Sequence, residues 1–389
     1  MDPVRNPFAP GAGSQPPELA GRDDIIGNAN VALQRVLQGK SDQSQILLGL
    51  RGVGKTVLLN KIEAIAEEHG YLTSLLEAPE DRSLPALLYP MIQQTLRKLS
   101  LSETAKAAAY FGMRALRSFA RTFKVEVGDF SIAVDPEPGV ADSGNLEFDL
   151  PELFVRVGDA AKAAGRGWVL LIDELQYLKQ PDLSALIVAM HKITQRNLPV
   201  LFFGAGLPQI ASLSGDAKSY AERLFAYPRV GALTEEAAIA AVRNPITDEG
   251  EQISAEALSA IFIETRGYPY YLQEWGYQAW NLAEKSPIGP DIAKAASKSA
   301  LRRLDEGFFK VRFDRLTPKE RDYVRAMARL GSGPYKSSDV ADLLGDAQQR
   351  FGPVRASVIK KGMIYSPAYG EIDFTVPLFS EYLQRQEAA

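Results

Sequence analysis

The sequence contains no cysteine and only two histidines in 389 residues. Without thiols the chain cannot form disulfides, thiol-based catalytic centres or zinc sites with cysteine ligands. His69 and His191 lie far apart in the sequence, and each is better explained as a solvated or packed residue than as a metal ligand. A chain of this length buries a core without disulfides and predicts two or three domains.

Long hydrophobic runs are also missing. The longest ones, such as Trp168–Ile172, fall far short of the ~18 residues that a membrane helix needs, and residues 1–5 lack the apolar core of a secretion signal. The expectation is a cytoplasmic protein with no membrane partner. A net charge of −4 gives no overall argument for a nucleic-acid partner, whereas 46% hydrophobic residues are typical of a globular protein.

What is present is an alternation of short apolar strands with longer helical patterns. Residues 1–18, rich in proline, glycine and serine, predict an extended lead-in. Residues 19–232 then predict an α/β domain with a parallel sheet sandwiched by helices. The candidate strands are Gln45–Leu48, Tyr71–Leu76, Trp168–Ile172, Val200–Phe203 and Arg229–Ala232.

About ninety residues separate the second and third candidate strands, which is too long for one crossover. We interpret residues 100–148 as an insertion that contains a helix at about 103–123 and a β-hairpin over Lys124–Val134. Four basic residues share one face of that helix region, and we interpret them as a solvated face, with a binding face as the alternative. They are Arg114, Arg117, Arg121 and Lys124.

The rest of the chain predicts two further domains. Residues 233–315 contain only helical patterns, with Thr234 and Ser254 as N-caps. Residues 316–389 begin with a capping box at Thr317–Glu320 and continue as three helices followed by a hairpin, which is a winged-helix pattern.

The strongest chemical signal is the segment Gly49–Thr56, which fits the P-loop pattern G-x-x-x-x-G-K-[ST] between a buried strand and a helix. Its backbone N–H groups can surround phosphate oxygens, with Lys55 on the β- and γ-phosphates and the Thr56 hydroxyl on Mg²⁺. The predicted cofactors are ATP and Mg²⁺. The nucleotide-binding residues of the loop are Gly49, Leu50, Arg51, Gly52, Val53, Gly54, Lys55 and Thr56.

A second motif is the apolar strand that ends in Asp173 and Glu174. An aspartate at the carboxyl end of such a strand can hold Mg²⁺, the Walker B role, and the next residue can act as general base toward an attacking water. The alternative is a solvated strand end. Paired with a P-loop upstream, the two acids favour ATP hydrolysis over binding alone.

With these two motifs, residues 17–385 resemble the AAA+ superfamily of ATPases, and most closely its origin-recognition, initiator-like branch and the related signal-transduction (STAND) ATPases. The resemblance implies that Gly21 and Arg22 lie beside the adenine. It also implies a polar sensor after strand Val200–Phe203, but this sequence has Gly204-Ala-Gly206 there. Gln209 is the nearest, weak candidate.

Two more site residues follow from the resemblance alone. Arg223 stands where these ATPases place an arginine finger, which would complete the site of a neighbouring subunit in a homo-oligomer; the alternative is a salt bridge, for instance with Glu222. Pro269 matches the STAND proline that packs near the nucleotide. The helix after it carries no arginine or lysine up to Ala283, so the sensor arginine of initiators is missing.

The winged-helix pattern of the C-terminal domain suggests a partner, either DNA or another protein. Its third helix presents a basic face that can contact DNA, although residues 316–389 contain 10 Lys and Arg against 9 Asp and Glu. The basic residues are Arg350, Arg355, Lys360 and Lys361.

Three functions stay open at this level. The first is an ATPase whose nucleotide state moves the lid and the winged helix. The second is a DNA-binding initiator or regulator whose affinity is set by ATP. The third is a signalling scaffold with little turnover that binds another protein through its winged helix.

Overall fold

The computed structural model describes residues 1–11, 16–78, 82–125, 134–345 and 348–388. The chain folds into two compact units. The sheet unit consists of Arg22–Gly49 and Lys55–Val230, and the helical unit of Met1–Gly21, Leu50–Gly54 and Gly231–Ala389. Within the described residues, no helix combines the length and the apolar character that a membrane span requires.

A five-stranded parallel sheet forms the centre of the sheet unit, as the strand pattern predicts. The strand order is β2-β3-β4-β1-β5, so β4 lies between β3 and β1. Strands β1, β3 and β4 are buried along their whole length, which explains why apolar residues dominate them. The strands are β1 (Ser44–Leu48), β2 (Leu72–Glu77), β3 (Trp168–Asp173), β4 (Val200–Gly206) and β5 (Phe225–Ala226).

Helices cover this sheet, and their apolar faces form one core with it. In its described residues, the long connection between β2 and β3 contains three helices. Of these, α4 packs against α3 and α5 and buries Met113, Leu116 and Phe119. The helices are α1 (Asp23–Leu37), α2 (Lys55–Glu68), α3 (Leu84–Leu99), α4 (Lys106–Thr122), α5 (Leu146–Ala163), α6 (Gln180–Gln195), α7 (Ile210–Ala217) and α8 (Ala221–Leu224).

The sequence predicts the last strand at Arg229–Ala232, and this is wrong. Strand β5 pairs with β1 at Phe225–Ala226, and beyond it only a single bridge joins Arg229 to Leu48. Pro228 stands between the two, and a proline has no N–H to donate to a continuous ladder. The hairpin predicted over Lys124–Val134 falls mostly on residues 126–133, outside the described part of the chain.

The helical unit begins with residues 1–11, which lie along helix α11 (Pro269–Leu282). The Phe8 side chain is buried against Gly276, and the Trp280 indole donates to the Asp2 carbonyl. Thr234 and Ser254 cap α9 and α10 as predicted. The helices are α9 (Glu235–Asp248), α10 (Ala255–Thr265), α11, α12 (Pro290–Arg303) and α13 (Lys310–Asp314), with a π-helical stretch at Leu304–Phe309.

The C-terminal part of this unit contains the three predicted helices and the predicted strands. Glu320 and Thr317 form the expected capping box at the start of α14. A small antiparallel sheet has the order β6-β8-β7. The elements are α14 (Pro318–Arg329), β6 (Tyr335–Lys336), α15 (Ser337–Leu343), α16 (Gln348–Lys360), β7 (Ile364–Tyr365), β8 (Glu371–Phe374) and α17 (Phe379–Ala388). Whether they function as a winged helix stays a prediction.

Candidate nucleotide-binding site

The P-loop motif occupies the turn between β1 and α2, where its chemistry requires it. Gly52 and Gly54 have φ values of +83° and +93°, a conformation that side-chain-bearing residues rarely adopt. The turn ends at Lys55, the first residue of α2. The Lys55 side chain is 6% exposed, and its ammonium group donates to the Gly49 carbonyl over 3.0 Å. The lysine therefore folds back over its own loop.

The two motifs meet at Thr56 and Asp173. The Thr56 hydroxyl donates to Asp173 Oδ2 over 2.5 Å. Burial raises the pKa of Asp173, and the hydrogen bonds from Thr56 and from the Glu174 backbone act against that rise. A hydroxyl and a carboxylate in contact are oxygen ligands of the kind that Mg²⁺ prefers, so these residues fit the predicted metal. In the described part of the chain, no group of three acidic or histidine side chains forms a metal site by itself.

Glu174 follows Asp173 in a left-handed backbone conformation, with φ at 55°. Its N–H donates to Asp173 Oδ1 over 2.7 Å, and its carboxylate Oε2 accepts a hydrogen bond from the Gln176 amide. Sequence reasoning missed Gln176. The signal that points to it is the lack of a polar side chain in Gly204–Gly206, which leaves room for one from another element.

The middle of the loop belongs to the helical unit, where the residues around Pro269 contact it. The Tyr268 hydroxyl donates to the Arg51 carbonyl, and the Tyr270 N–H donates to the Gly52 carbonyl over 3.2 Å. Pro269 itself is the first residue of α11. The two tyrosine neighbours of Pro269 contact the loop, whereas a position of Pro269 itself near the nucleotide stays a prediction.

The C-terminal elements also contact the middle of the loop. The Arg51 N–H donates to the Thr375 carbonyl over 3.3 Å, and the Arg51 side chain lies so close to Gly362 that a Cβ there would be 2.5 Å from Nη2. Arg312 lies near enough for the Arg51 charge to affect it. Burial first, and then that charge, lowers the pKa of Arg312 to about 10.

Gly21 and Arg22 lie before helix α1. Gly21 has φ at +66°, and a Cβ there would be 2.8 Å from Ala237 Cβ, so this position of the helical unit requires glycine. Arg22, in the sheet unit, is buried, and burial lowers its pKa. A role of these two residues beside the adenine stays a prediction.

Arg223 lies on the short helix α8 with an exposed side chain. In the sheet unit its carbonyl accepts from the Gln43 amide over 2.8 Å, and its N–H donates to the Tyr220 carbonyl over 3.0 Å. Among the ion pairs of the described residues, none involves Arg223, so the predicted alternative of a salt bridge with Glu222 is not formed. Gln209, the weak sensor candidate, directly precedes α7.

The basic residues of α16 are partly engaged within the helical unit. Lys361 donates to the Glu320 carboxylate over 2.6 Å, and Arg355 donates to the Ser337 hydroxyl over 3.1 Å. Lys360 and Arg350 are exposed. In the sheet unit, Arg114 and Arg117 of α4 hold backbone carbonyls of residues 134–136, whereas Arg121 and Lys124 are exposed.

Two family models match the chain. Residues 18–203, which contain both phosphate-site motifs, match the family described as AAA ATPase domain. These residues therefore resemble an AAA ATPase domain. The predicted resemblance to the AAA+ ATPases is therefore confirmed. Residues 306–383, C-terminal to that segment, match a family described only as a domain of unknown function.

Several solved structures resemble the whole chain, including the part outside residues 18–203. A Walker-type ATPase of Pyrococcus abyssi is 16% identical, with 94% of this chain and 96% of that chain covered and a TM-score of 0.57, which shows the fold. The Aeropyrum pernix Orc1 protein in complex with DNA is 14% identical, with 98% and 96% covered and a TM-score of 0.47. The Thermotoga maritima RuvB Holliday junction branch migration motor is 15% identical, with 95% and 98% covered and a TM-score of 0.45. No curated protein matches the chain.

Proposed function

We propose that the protein binds ATP with Mg²⁺ at Gly49–Thr56 and hydrolyses it to ADP and phosphate. The observation that carries this proposal is the contact between the Thr56 hydroxyl and the Asp173 carboxylate, next to Lys55 and Glu174. The contact supports the proposal because the predicted metal ligands, a buried ammonium group and the predicted base all lie near the carboxyl ends of β1 and β3. Ligands of parallel α/β sheets bind at such strand ends.

The loop residues have separate roles in this reaction. Backbone N–H groups of the turn and the positive end of α2 bind the phosphates, and Lys55 neutralises charge on the β- and γ-phosphates. Thr56 and Asp173 would hold Mg²⁺, which supplies a positive charge next to the transferred phosphoryl group when bound.

Glu174 is the proposed general base. Its carboxylate takes a proton from the attacking water as the water oxygen bonds to the γ-phosphorus and the bond to the ADP oxygen breaks. The left-handed backbone at Glu174 and the hydrogen bond from its N–H to Asp173 fix the direction in which this side chain leaves the strand. A strained residue held by its neighbours at a strand end is typical of functional sites.

The experiment compares ATP binding and turnover in three variants. Lys55→Ala is expected to weaken ATP binding by tenfold or more, because the charge on the phosphates is lost. Glu174→Gln is expected to bind ATP normally and to turn it over at least a hundredfold more slowly. Lys61→Ala, on the same helix α2, is the control. Unchanged ATP binding by Lys55→Ala contradicts the site, and ADP retained through purification without turnover favours the signalling scaffold.

We also propose that the nucleotide state is coupled to the C-terminal elements. The support is that Arg51 and Gly52 contact Tyr268 and Tyr270 at the start of α11 and Thr375 after β8, all within the helical unit. Because these loop residues are covalently continuous with Lys55, a change of the loop on binding phosphate must be accommodated by those contacts. Unchanged hydrogen exchange of residues 363–376 on addition of ATP would contradict the coupling.

The exposure of Arg223 supports its proposed role as an arginine finger toward a second copy of the chain. Measuring particle size and ATP turnover together tests it: Arg223→Ala should lower turnover in the oligomer without changing ATP binding. DNA contact through α16 has less support, because Lys361 and Arg355 already bind Glu320 and Ser337. Salt-dependent DNA binding that is lost in Arg355→Ala/Lys360→Ala would restore that hypothesis.

A further inference from the structure

Gln176 links the proposed base to the strand that separates the two motifs. It lies in the short 3-10 turn Leu175–Tyr177, directly after Glu174. Its amide nitrogen donates to Glu174 Oε2, and its amide oxygen accepts from the Leu207 N–H over 3.1 Å. The two ends of one side chain therefore bind two different elements of the sheet unit, the turn after β3 and the end of β4.

The peptide group that Gln176 binds is also tied to the P-loop. This group joins Gly206 to Leu207, and its carbonyl oxygen accepts from the Gly49 N–H over 3.0 Å. A continuous series of hydrogen bonds thus runs from the first residue of the loop through one peptide group and the Gln176 amide to the Glu174 carboxylate. Each group in this series polarises the next, and the series fixes the distance between its ends.

The glycine at position 206 makes room for this arrangement. A Cβ at Gly206 would be 3.0 Å from the Gln176 amide oxygen and 2.9 Å from Ile210 Cγ1. A side chain at this position would push against the Gln176 amide. The lack of a side chain at Gly206, at the end of β4, therefore leaves room for the Gln176 amide, which comes from the turn after β3.

We propose that Gln176 is a positioning residue that orients the Glu174 carboxylate toward the attacking water. The inference rests on the proposed ATP hydrolysis and names a residue that the two phosphate-site motifs do not contain. It also assigns to Gln176, instead of Gln209, the polar contact expected at the end of β4.

The hydrogen bond from Gln176 orients the Glu174 carboxylate and leaves it able to accept a further hydrogen bond. A carboxylate accepts several hydrogen bonds through its two oxygens, so Glu174 can hold the Gln176 amide and a water together. Its backbone is fixed by the bond to Asp173 and its side chain by the bond to Gln176. Holding a catalytic group in one geometry in this way lowers the entropic part of the barrier.

The test uses two substitutions of Gln176, one that removes only its hydrogen bond to Glu174 and one that removes both of its hydrogen bonds. Gln176→Glu is nearly isosteric and still accepts from Leu207, but it cannot donate to Glu174 when ionised and places a like charge beside it. Gln176→Met removes both bonds. Both are expected to lower kcat by about tenfold or more while KM and the ATP dissociation constant stay within about twofold, because the phosphate-binding residues are unchanged.

Gly206→Ala is a third variant that displaces the amide without altering Gln176, and it should lower kcat in the same direction. Gln195→Met, at an exposed position of helix α6, is the matched control and should behave as the wild type, whereas Gln209→Met tests the competing assignment of the polar contact. In a Glu174→Gln background, Gln176→Met should change the residual turnover by less than twofold, because the group that Gln176 positions is already gone.

Several outcomes would overturn the proposal. They are an unchanged or higher kcat in Gln176→Glu and Gln176→Met, a loss of ATP binding in step with kcat, or a loss of turnover in Gln209→Met instead. If Gln176→Met fails to fold, Gln176→Glu and Gly206→Ala decide the question. A wild type that binds ATP with no turnover overturns the proposed hydrolysis and this inference together, whereas turnover with no effect of Gln176 overturns this inference alone.

Discussion

Thr56 is the residue at which the two motifs touch, and its hydroxyl has two functions. It donates to Asp173, which opposes the rise in the pKa of that carboxyl caused by burial. It is also the proposed metal ligand. A charge-assisted hydrogen bond of this kind is among the stronger ones in proteins.

Thr56→Val should remove both functions. Without the hydroxyl, the pKa of Asp173 rises further, so a larger fraction of it is protonated and unable to bind a cation as the pH falls. We expect Mg²⁺-dependent ATP turnover to fall by at least tenfold, and ATP binding measured in EDTA to change little. Thr56→Ser keeps the hydroxyl and should keep most of the turnover. Turnover in Thr56→Val equal to that in Thr56→Ser would show that the hydroxyl has neither function.

At the scale of elements, the P-loop turn is restricted by the residues that pack on it. Gly52 and Gly54 have the same left-handed backbone, but a Cβ at Gly52 would be 3.2 Å from Tyr268 Cε1 and from Tyr270 Cβ, whereas a Cβ at Gly54 meets nothing within 4 Å. Substitutions at the two glycines can therefore distinguish the effect of backbone strain from the effect of steric contact with the tyrosines.

Gly54→Ala should lower the unfolding free energy by about 1–2 kcal/mol, because an alanine at positive φ is strained. Gly52→Ala should lower the unfolding free energy by about 1 kcal/mol more than Gly54→Ala does, since the two tyrosines must also shift. Denaturant unfolding of the protein without nucleotide measures both. Equal losses would mean that Tyr268 and Tyr270 do not constrain the loop.

The buried carboxylate of Glu320 on α14 binds Ser357 of α16 and Lys361, the residue directly after that helix. Burial alone would raise the pKa of Glu320, but hydrogen bonds from Lys361, Ser357 and Thr317 together lower it to about 2. A carboxyl whose pKa is lower in the folded chain than its unfolded value of about 4.3 stabilises the fold above that value. The contribution is lost as the pH falls from about 4.3 toward 2.

Glu320→Gln should therefore lower the unfolding free energy by about 2 kcal/mol at neutral pH, because Lys361 is left without its counter-charge. The deficit should stay constant between pH 6 and 8 and shrink below pH 4. Lys319→Gln, exposed on the same helix, is the control. A deficit that does not depend on pH would assign the loss to packing and not to the charge.

How far the sequence predicts these elements depends on whether the pattern is local. The P-loop turn, the strand that ends in Asp173 and the capping box of α14 follow from short patterns, because each is decided by neighbouring residues. Strand β5 does not follow, since its pairing depends on where β1 lies and on the break at Pro228. Gln176 does not follow either, because its partner Leu207 lies 31 residues away.

At the scale of the whole molecule, residues 306–383, which match a domain of unknown function, contribute Gly362 and Thr375 as contacts of Arg51. A Cβ at Gly362 would be 2.5 Å from Arg51 Nη2, while a Cβ at Gly345, with similar positive φ, meets nothing within 4 Å. We therefore expect a substitution at Gly362 to displace the Arg51 side chain, although the two residues lie about three hundred positions apart in the sequence.

Gly362→Ala should weaken ATP binding by about threefold or more relative to Gly345→Ala, because the displaced Arg51 shifts the loop. In an Arg51→Ala background the difference should disappear, since the colliding side chain is absent. Equilibrium titration with ATP on the four proteins measures the coupling as a double-mutant cycle. A difference that persists without Arg51 would contradict a coupling through this side chain.

Arg312 places a second positive charge near Arg51. Burial, and after it the charge of Arg51, lowers the pKa of Arg312 to about 10. Two like charges near a phosphate-binding loop repel each other, and a bound polyanion would reduce that repulsion. Thermal-shift measurements should therefore rank triphosphate above adenosine as a stabiliser, and ionic strength should raise the melting temperature most when no nucleotide is present.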